Sequence, residues 1–310
     1  MISISRVNNR NMVICFRLVV VCLLVSTASV ARADLSNSQA RNLIRRAAGF
    51  DLTGGSVRVK TISPTSPTTA EVAAEVRTVF KFEKDKQGNW RVAEVRTGQD
   101  RWEQIDLLAN ALGPQLPTND CATPDPPFRG SLAVDPSTKR ARCLLGKLLG
   151  IEVPSDALRI QQIAPFVLPM ASQPSAVVVA WVKVEAQLAN DNGRWRVVAM
   201  RTGQHNWVQL EPLIAVVNAG KQKRAEADLQ LIAKALERFR ADRGFYIVSD
   251  DQAVVINHLN PNFLAQVIRV DPWHQPYKYQ GQRDHFTLRS TGPDAKDGTA
   301  DDVVIAGPSR

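Results

Sequence analysis

From Val72 to Phe82 the chain alternates. Val72, Ala74, Val76, Thr78, Phe80 and Phe82 share one side, and polar residues interleave. A period of two is the mark of a strand with one buried face. Upstream, Leu43, Ile44, Ala47 and Ala48 recur at helical spacing, with Ser36 placed to cap the helix and Gly49 to end it. Val57 to Ile62 reads as a short strand. Asp85 to Gly88 reads as a turn, and Trp90 to Val95 as the returning partner of the long strand. A short helix carrying Trp102, Ile105 and Leu108 completes the unit.

The same pattern occurs again. GNWRVAEVRTGQDRWEQIDLL from Gly88 matches GRWRVVAMRTGQHNWVQLEPL from Gly193, sharing Gly, Trp, Arg, Val, Arg-Thr-Gly-Gln, Trp and Gln at an offset of 105. Ahead of it, ARNLIRRAAGFDL from Ala40 matches ARCLLGKLLGIEV from Ala141 at a slightly different offset. The sequence therefore contains a duplicated module of about 75 residues, too few copies for a solenoid. In the second copy Asn192-Gly193 is a tight-hairpin signal between Leu188 and Trp195, and the short helix carries Trp207, Leu210 and Leu213. Each copy predicts a helix on a small antiparallel sheet, in cystatin-like or NTF2-like order, a likeness that carries no activity. Trp90 is expected to match Trp195, and Trp102 to match Trp207, all packing the sheet. The repeated Arg-Thr-Gly-Gln (Arg96–Gln99, Arg201–Gln204) reads either as a structural turn or as a surface site.

A third region follows. RAEADLQLIAKALERFRADRGFY carries an apolar stripe of Leu229, Ile232, Ala233, Leu236 and Phe239, and Gly244 ends the predicted helix. The expected organisation is a signal peptide over 1–33, modules over 34–113 and 140–219, a Pro-, Asp- and Thr-rich linker over 114–139, and a C-terminal domain over 220–310. Arg6, Arg10 and Arg17, the apolar run Leu18 to Val30 and Ala31-Arg32-Ala33 make the leader a cleavable secretory signal. Its loss removes four arginines and no acid, lowering the net charge from +9 to +5. The basic residues are dispersed, so nucleic acid is not an expected partner, and no later run is long enough to span a membrane. Cys121 and Cys143 remain after processing, and in an oxidising compartment a disulfide between them is expected.

Two C-terminal stretches then stand out: DPWHQPYKY from Asp271 and LRSTGPDAKDGTADDVVI from Leu288. With the preceding helix and Asp242-Arg243-Gly244-Phe245-Tyr246, they resemble the C-terminal domain of the major (G-type) pseudopilin of bacterial type II secretion, over about Arg224 to Val304. The resemblance implies a pseudopilin-like α+β domain whose acidic loop wraps a structural calcium ion. By motif position Asp294, Asp301 and Asp302 would give side chains, Leu288 and Ser290 carbonyls, and Asp297 lies in the same loop. Seen alone, such a loop is a solvated acidic turn. His274 stands where the family has Gly, and Ala295 replaces the Gly after the first loop aspartate. A pseudopilin also begins with a prepilin-peptidase site and an apolar spine. Here a cleavable signal and two other modules precede the domain, so assembly into a pseudopilus by the usual route is not expected. Trp273, Tyr277 and Tyr279 read as core.

No Gly-x-Ser-x-Gly, phosphate loop, dinucleotide fingerprint or His/Cys ligand spacing occurs. The expected function is non-catalytic: a periplasmic or secreted α+β protein that binds or assembles in the cell envelope, with envelope or secretion-system proteins as partners. A ligand-binding protein using the twin modules is the alternative, signalled by a dry apolar pocket. An enzyme would instead require buried acids and histidines between sheet and helix.

Overall fold

The computed structural model describes residues 35–112, 121, 135–166 and 174–308. The expected signal peptide, and most of the linker expected over 114–139, lie outside them. Helix α1 (Asn37–Arg45) leads through a turn to β1 (Val57–Ser66), β2 (Thr69–Lys84), β3 (Trp90–Arg96), β4 (Trp102–Gln104) and α2 (Ile105–Leu112). The second copy repeats this order with α3 (Thr138–Leu149), β5 (Leu158–Pro165), β6 (Ser175–Asp191), β7 (Arg194–Thr202), β8 (Val208–Gln209) and α4 (Leu210–Arg243). Helix α5 (Gln252–Leu259) and strands β9 (Lys278–Gly281), β10 (Phe286–Ser290) and β11 (Val303–Ala306) follow. The architecture is α+β, with an eight-stranded and a three-stranded antiparallel sheet.

The alternation in β2 is a buried face, with Val72, Ala74, Phe80 and Phe82 all within 3% of full burial. The two copies do not form separate sheets. β2 pairs antiparallel with β6 along its length, and the outer edge of each is shared by two shorter strands, β1 and β3 on one side, β5 and β7 on the other. The repeat fixes the symmetry of this junction. Val95 and Met200 are counterparts, and their cross-strand partners are Phe80 and Ala186. Val76 and Val182 precede those partners by equal steps, so they too are counterparts, and they pair directly with each other. A residue paired with its own counterpart lies on a pseudo-two-fold axis, so the duplication builds the equivalent of a dimer within one chain. Helix α1 packs on β1 and reaches β7 of the other copy, and α3 packs on β5 and reaches β3.

Two local expectations change. The residues after each Arg-Thr-Gly-Gln turn first pair back as a strand, so Trp102 lies in β4 and Trp207 just before β8, not on a helix. Trp90 is buried at 5% exposure, but Trp102, Trp195 and Trp207 are only half-buried. Trp195 sits beside the hairpin turn, where Asn192 and Gly193 both adopt positive φ. The second change concerns the helices. The segment expected to hold a short helix and then a separate one is a single 34-residue helix, α4. At 1.5 Å per residue it runs about 50 Å, carrying the chain from the second module into the C-terminal region. Gly244, at φ 83, ends it as expected.

The C-terminal core packs Leu229, Ile232, Leu236 and Phe239 of α4 against Tyr246, Val255 and Leu259, and against Tyr277, Tyr279, Phe286, Leu288 and Val303 of the small sheet. Tyr246 meets Phe286 edge-on at 4.9 Å, a favoured aromatic geometry.

Candidate metal-binding loop

The loop between β10 and β11 holds the acidic residues. Gly292 opens it at φ 63, and a Cβ there would meet the Asp301 carbonyl at 2.4 Å. Glycine is required because the two arms of the loop nearly touch. Gly298 turns the tip at φ 80. Ala295 also adopts a left-handed conformation, at φ 56. The loop keeps the turn that glycine would make and carries the steric cost of a Cβ there.

Thr299 is the centre of the loop. Its Oγ1 lies 2.7 Å from Asp301 Oδ1, 3.3 Å from Asp294 Oδ1 and 3.3 Å from Asp302 Oδ1, and 3.2 Å from the Lys296 carbonyl. Backbone amides hold these carboxylates in place: Lys296 N–H donates to Asp294, Asp294 N–H to Asp301 and Gly298 N–H to Asp302. The Thr299 hydroxyl holds the Asp301 carboxyl below the usual aspartate range. The side chain of Asp302 is 5% exposed, and Arg289 lies 3.5 Å from its Oδ2.

Asp297 is turned elsewhere. Lys278 lies 3.1 Å away and Arg289 2.5 Å, and their hydrogen bonds, that of Lys278 foremost, hold its carboxyl low. Lys278 and Arg289 are cross-strand neighbours on β9 and β10, so the sheet presents both cations to one aspartate. Leu288 is buried in mid-β10, paired with Tyr279 on one side and Ile305 on the other. Ser290 is fully buried, and its hydroxyl donates to Asp271 Oδ2 at 2.5 Å. The structure therefore brings Asp294, Asp301 and Asp302 together, while Asp297 pairs with Lys278 and Arg289, and the Ser290 hydroxyl joins Asp271 to the Gly292 N–H at the start of the loop. Among the described residues no three His, Cys, Asp or Glu side chains stand ready as a metal centre. The three carboxylates surround a hydroxyl instead.

Thr299 carries no mark of its role in the sequence, since a threonine among aspartates has no distinctive spacing. Asp271 was also missed. Its buried carboxylate accepts N–H bonds from Trp273 and Gln275 and so pins the Asp-Pro-Trp-His turn. His274 follows at φ 68, the left-handed value its place demands. Trp273 Nε1 donates to Asn218 of α4, and the Tyr277 hydroxyl donates to Asp228 of the same helix. Burial and the Asp228 carboxylate both push the Tyr277 hydroxyl upward. As expected, Tyr277 and Tyr279 are core residues, while Trp273 packs half-buried against that core.

A second polar cluster joins the regions. Lys221 of α4 donates to Glu103 of β4 at 2.6 Å, and their side chains are only 8% and 18% exposed. His274 Nε2 lies 3.4 Å from the same Glu103 oxygen. Burial alone would raise the Glu103 carboxyl, but the nearby His274 ring and the Lys221 ammonium outweigh it and hold the group below its ordinary value. Cys121 and Cys143 are disulfide-bonded as expected, with Cα atoms 6.0 Å apart.

The arginines of the two Arg-Thr-Gly-Gln turns have different partners. Arg96 donates to the carbonyls of Gly98 and Gln99, closing its own turn. Arg201 instead pairs with Glu185 at 2.5 Å and stacks over Trp207 at 4.5 Å. No helix among the described residues is long and apolar enough to cross a membrane. No curated protein and no solved structure matches the chain. The sequence model of one family does, over residues 213–306, which span most of α4, the pinned turn and the acidic loop: it describes Type II secretion system (T2SS), protein G, so the C-terminal region is pseudopilin-like.

Proposed function

We propose that this chain is a non-catalytic exported protein of the cell envelope. Its pseudopilin domain binds one structural calcium ion and serves binding or assembly alongside type II secretion components. The observation that carries the calcium reading is the convergence of three aspartates on Thr299 Oγ1. A hydroxyl has one hydrogen and satisfies one carboxylate. Among the described residues the one cation paired with the three aspartates is Arg289, 3.5 Å from Asp302 and shared with Asp297, so negative charge is left in excess over positive. Calcium takes six to eight oxygens in flexible geometry, which suits carboxylates, a hydroxyl and a loop carbonyl. Asp294, Asp301 and Asp302 would hold the ion, with Thr299 and the Lys296 carbonyl beside them. Asp297, neutralised by Lys278 and Arg289, would stay outside. When bound, the cation supplies charge compensation and a cross-link between the two arms of the loop.

Scanning calorimetry of the mature chain tests this. With a dissociation constant around 10⁻⁴–10⁻³ M, typical of extracellular sites, about 5 mM calcium should add about 1–2 kcal/mol. Asp294→Ala or Asp301→Ala should abolish the rise, and Asp297→Ala should leave most of it. Identical melting of the unaltered chain with and without calcium sinks the assignment.

A further inference from the structure

The core face of the twin sheet is not filled at its centre. Along β2, Ala74 and Phe80 are buried, but Val76 and Thr78 between them are only half-buried. Above them lies a cavity of about 490 Å³. Its walls come from both copies in counterpart pairs, among them Val76 with Val182, Val95 with Met200, and Leu108 with Leu213. The cavity therefore sits on the pseudo-two-fold axis, where helices α1 and α3 flank the centre of the sheet. A well-packed core leaves few voids larger than a water molecule, and cavities of about 300–1,000 Å³ with apolar walls are the usual form of a small-molecule site.

The polar side chains in the wall define what could bind. Asn206 is uncharged, Thr78 donates to the Arg96 carbonyl and Thr202 to the Leu149 carbonyl, His205 Nε2 lies 3.2 Å from the Leu148 carbonyl, and Arg201 is held by Glu185 and Trp207. The two threonines, the histidine and the arginine thus already have partners in the protein. A charged ligand would find no unspent counter-charge among them and would lose its water on entry. We propose that the cavity on the pseudo-two-fold axis is a binding site for an uncharged hydrocarbon ligand, of the class of a lipid acyl chain or fatty alcohol. This site lies in the duplicated modules and is independent of the calcium loop.

The test uses the mature chain and the neutral fluorophore 1-N-phenylnaphthylamine. Low-micromolar probe should brighten and shift to the blue, and decan-1-ol should displace it at least as well as decanoate. Val76→Phe and Leu213→Trp, which place larger rings in the cavity, should each weaken probe binding about tenfold or more. Leu231→Ser, at an exposed position of α4, should leave binding unchanged, and so should calcium. Circular dichroism and melting establish that each variant is folded, and Leu213, on a half-exposed helix face, keeps the test available if Val76→Phe does not fold. Absence of a fluorescence change, undiminished binding in the folded cavity variants, or displacement by decanoate alone overturns the proposal.

Discussion

Lys221→Met removes the cation from an enclosed ion pair that ties the first module to α4. The Lys221 and Glu103 side chains are 8% and 18% exposed, and their charged atoms lie 2.6 Å apart. The substitution preserves the apolar stem of the lysine but leaves Glu103 largely desolvated with only His274 beside it. Breaking a buried pair from one side costs about 3–5 kcal/mol. The residual exposure of Glu103 admits some water, which places the expected loss near the lower end, about 3 kcal/mol. For a chain of this size, that lowers the melting temperature by about 6–12 °C. Glu103→Leu alone should cost a similar amount by stranding the ammonium. The double variant should return to within about 1 kcal/mol of the original, because replacing both charges with apolar groups removes the desolvation penalty. Guanidinium unfolding of all four proteins gives the coupling energy. Single variants that each cost less than about 1 kcal/mol, or that simply add, would show that the pair is solvated and refute the reasoning.

The same carboxylate has a pH signature. Glu103 is held below its ordinary value in the fold, so its contribution is present above the unfolded value and lost as pH falls through the folded one. The stability gap between the original chain and Glu103→Gln should be constant near neutrality and close below pH 4.5, the ordinary glutamate value; a gap that widens in acid contradicts the assignment. Two glycines at positive φ should respond differently to alanine. Gly203→Ala drives a Cβ to 2.1 Å from the Gly150 carbonyl and should cost about 3 kcal/mol or more, whereas Gly193→Ala meets open space and should cost about 1–2 kcal/mol, the left-handed penalty alone. Equal losses in thermal melts would disprove the close approach. Ala295→Gly relieves a left-handed Cβ at φ 56 and should stabilise the chain by up to about 1 kcal/mol after the entropy of glycine is subtracted; destabilisation would mean that the Cβ makes a favourable contact.

The sequence by itself determined whatever depends on short-range period and turn chemistry. The alternation of Val72 to Phe82 specified β2, Asn192-Gly193 specified the β6–β7 hairpin, and Gly244 marked the end of α4. Repetition exposed the duplication, and the Asp271 and Leu288 stretches located the pseudopilin-like region and its acidic loop. Tertiary structure decided what depends on partners distant in the chain. Nothing local in Val76 says that it pairs with its own counterpart Val182, because each module's pattern asks only for some strand at its edge. The central cavity follows from that pairing and from where α1 and α3 sit, so neither copy encodes it alone. The loop aspartates are equivalent in sequence, and only the fold, which sets Lys278 beside Asp297 and Thr299 amid the other three, tells them apart. Glu103, Lys221 and His274 come from three separated segments, and no periodicity connects them. Their enclosure makes the contact strong, and enclosure exists only once the fold has formed.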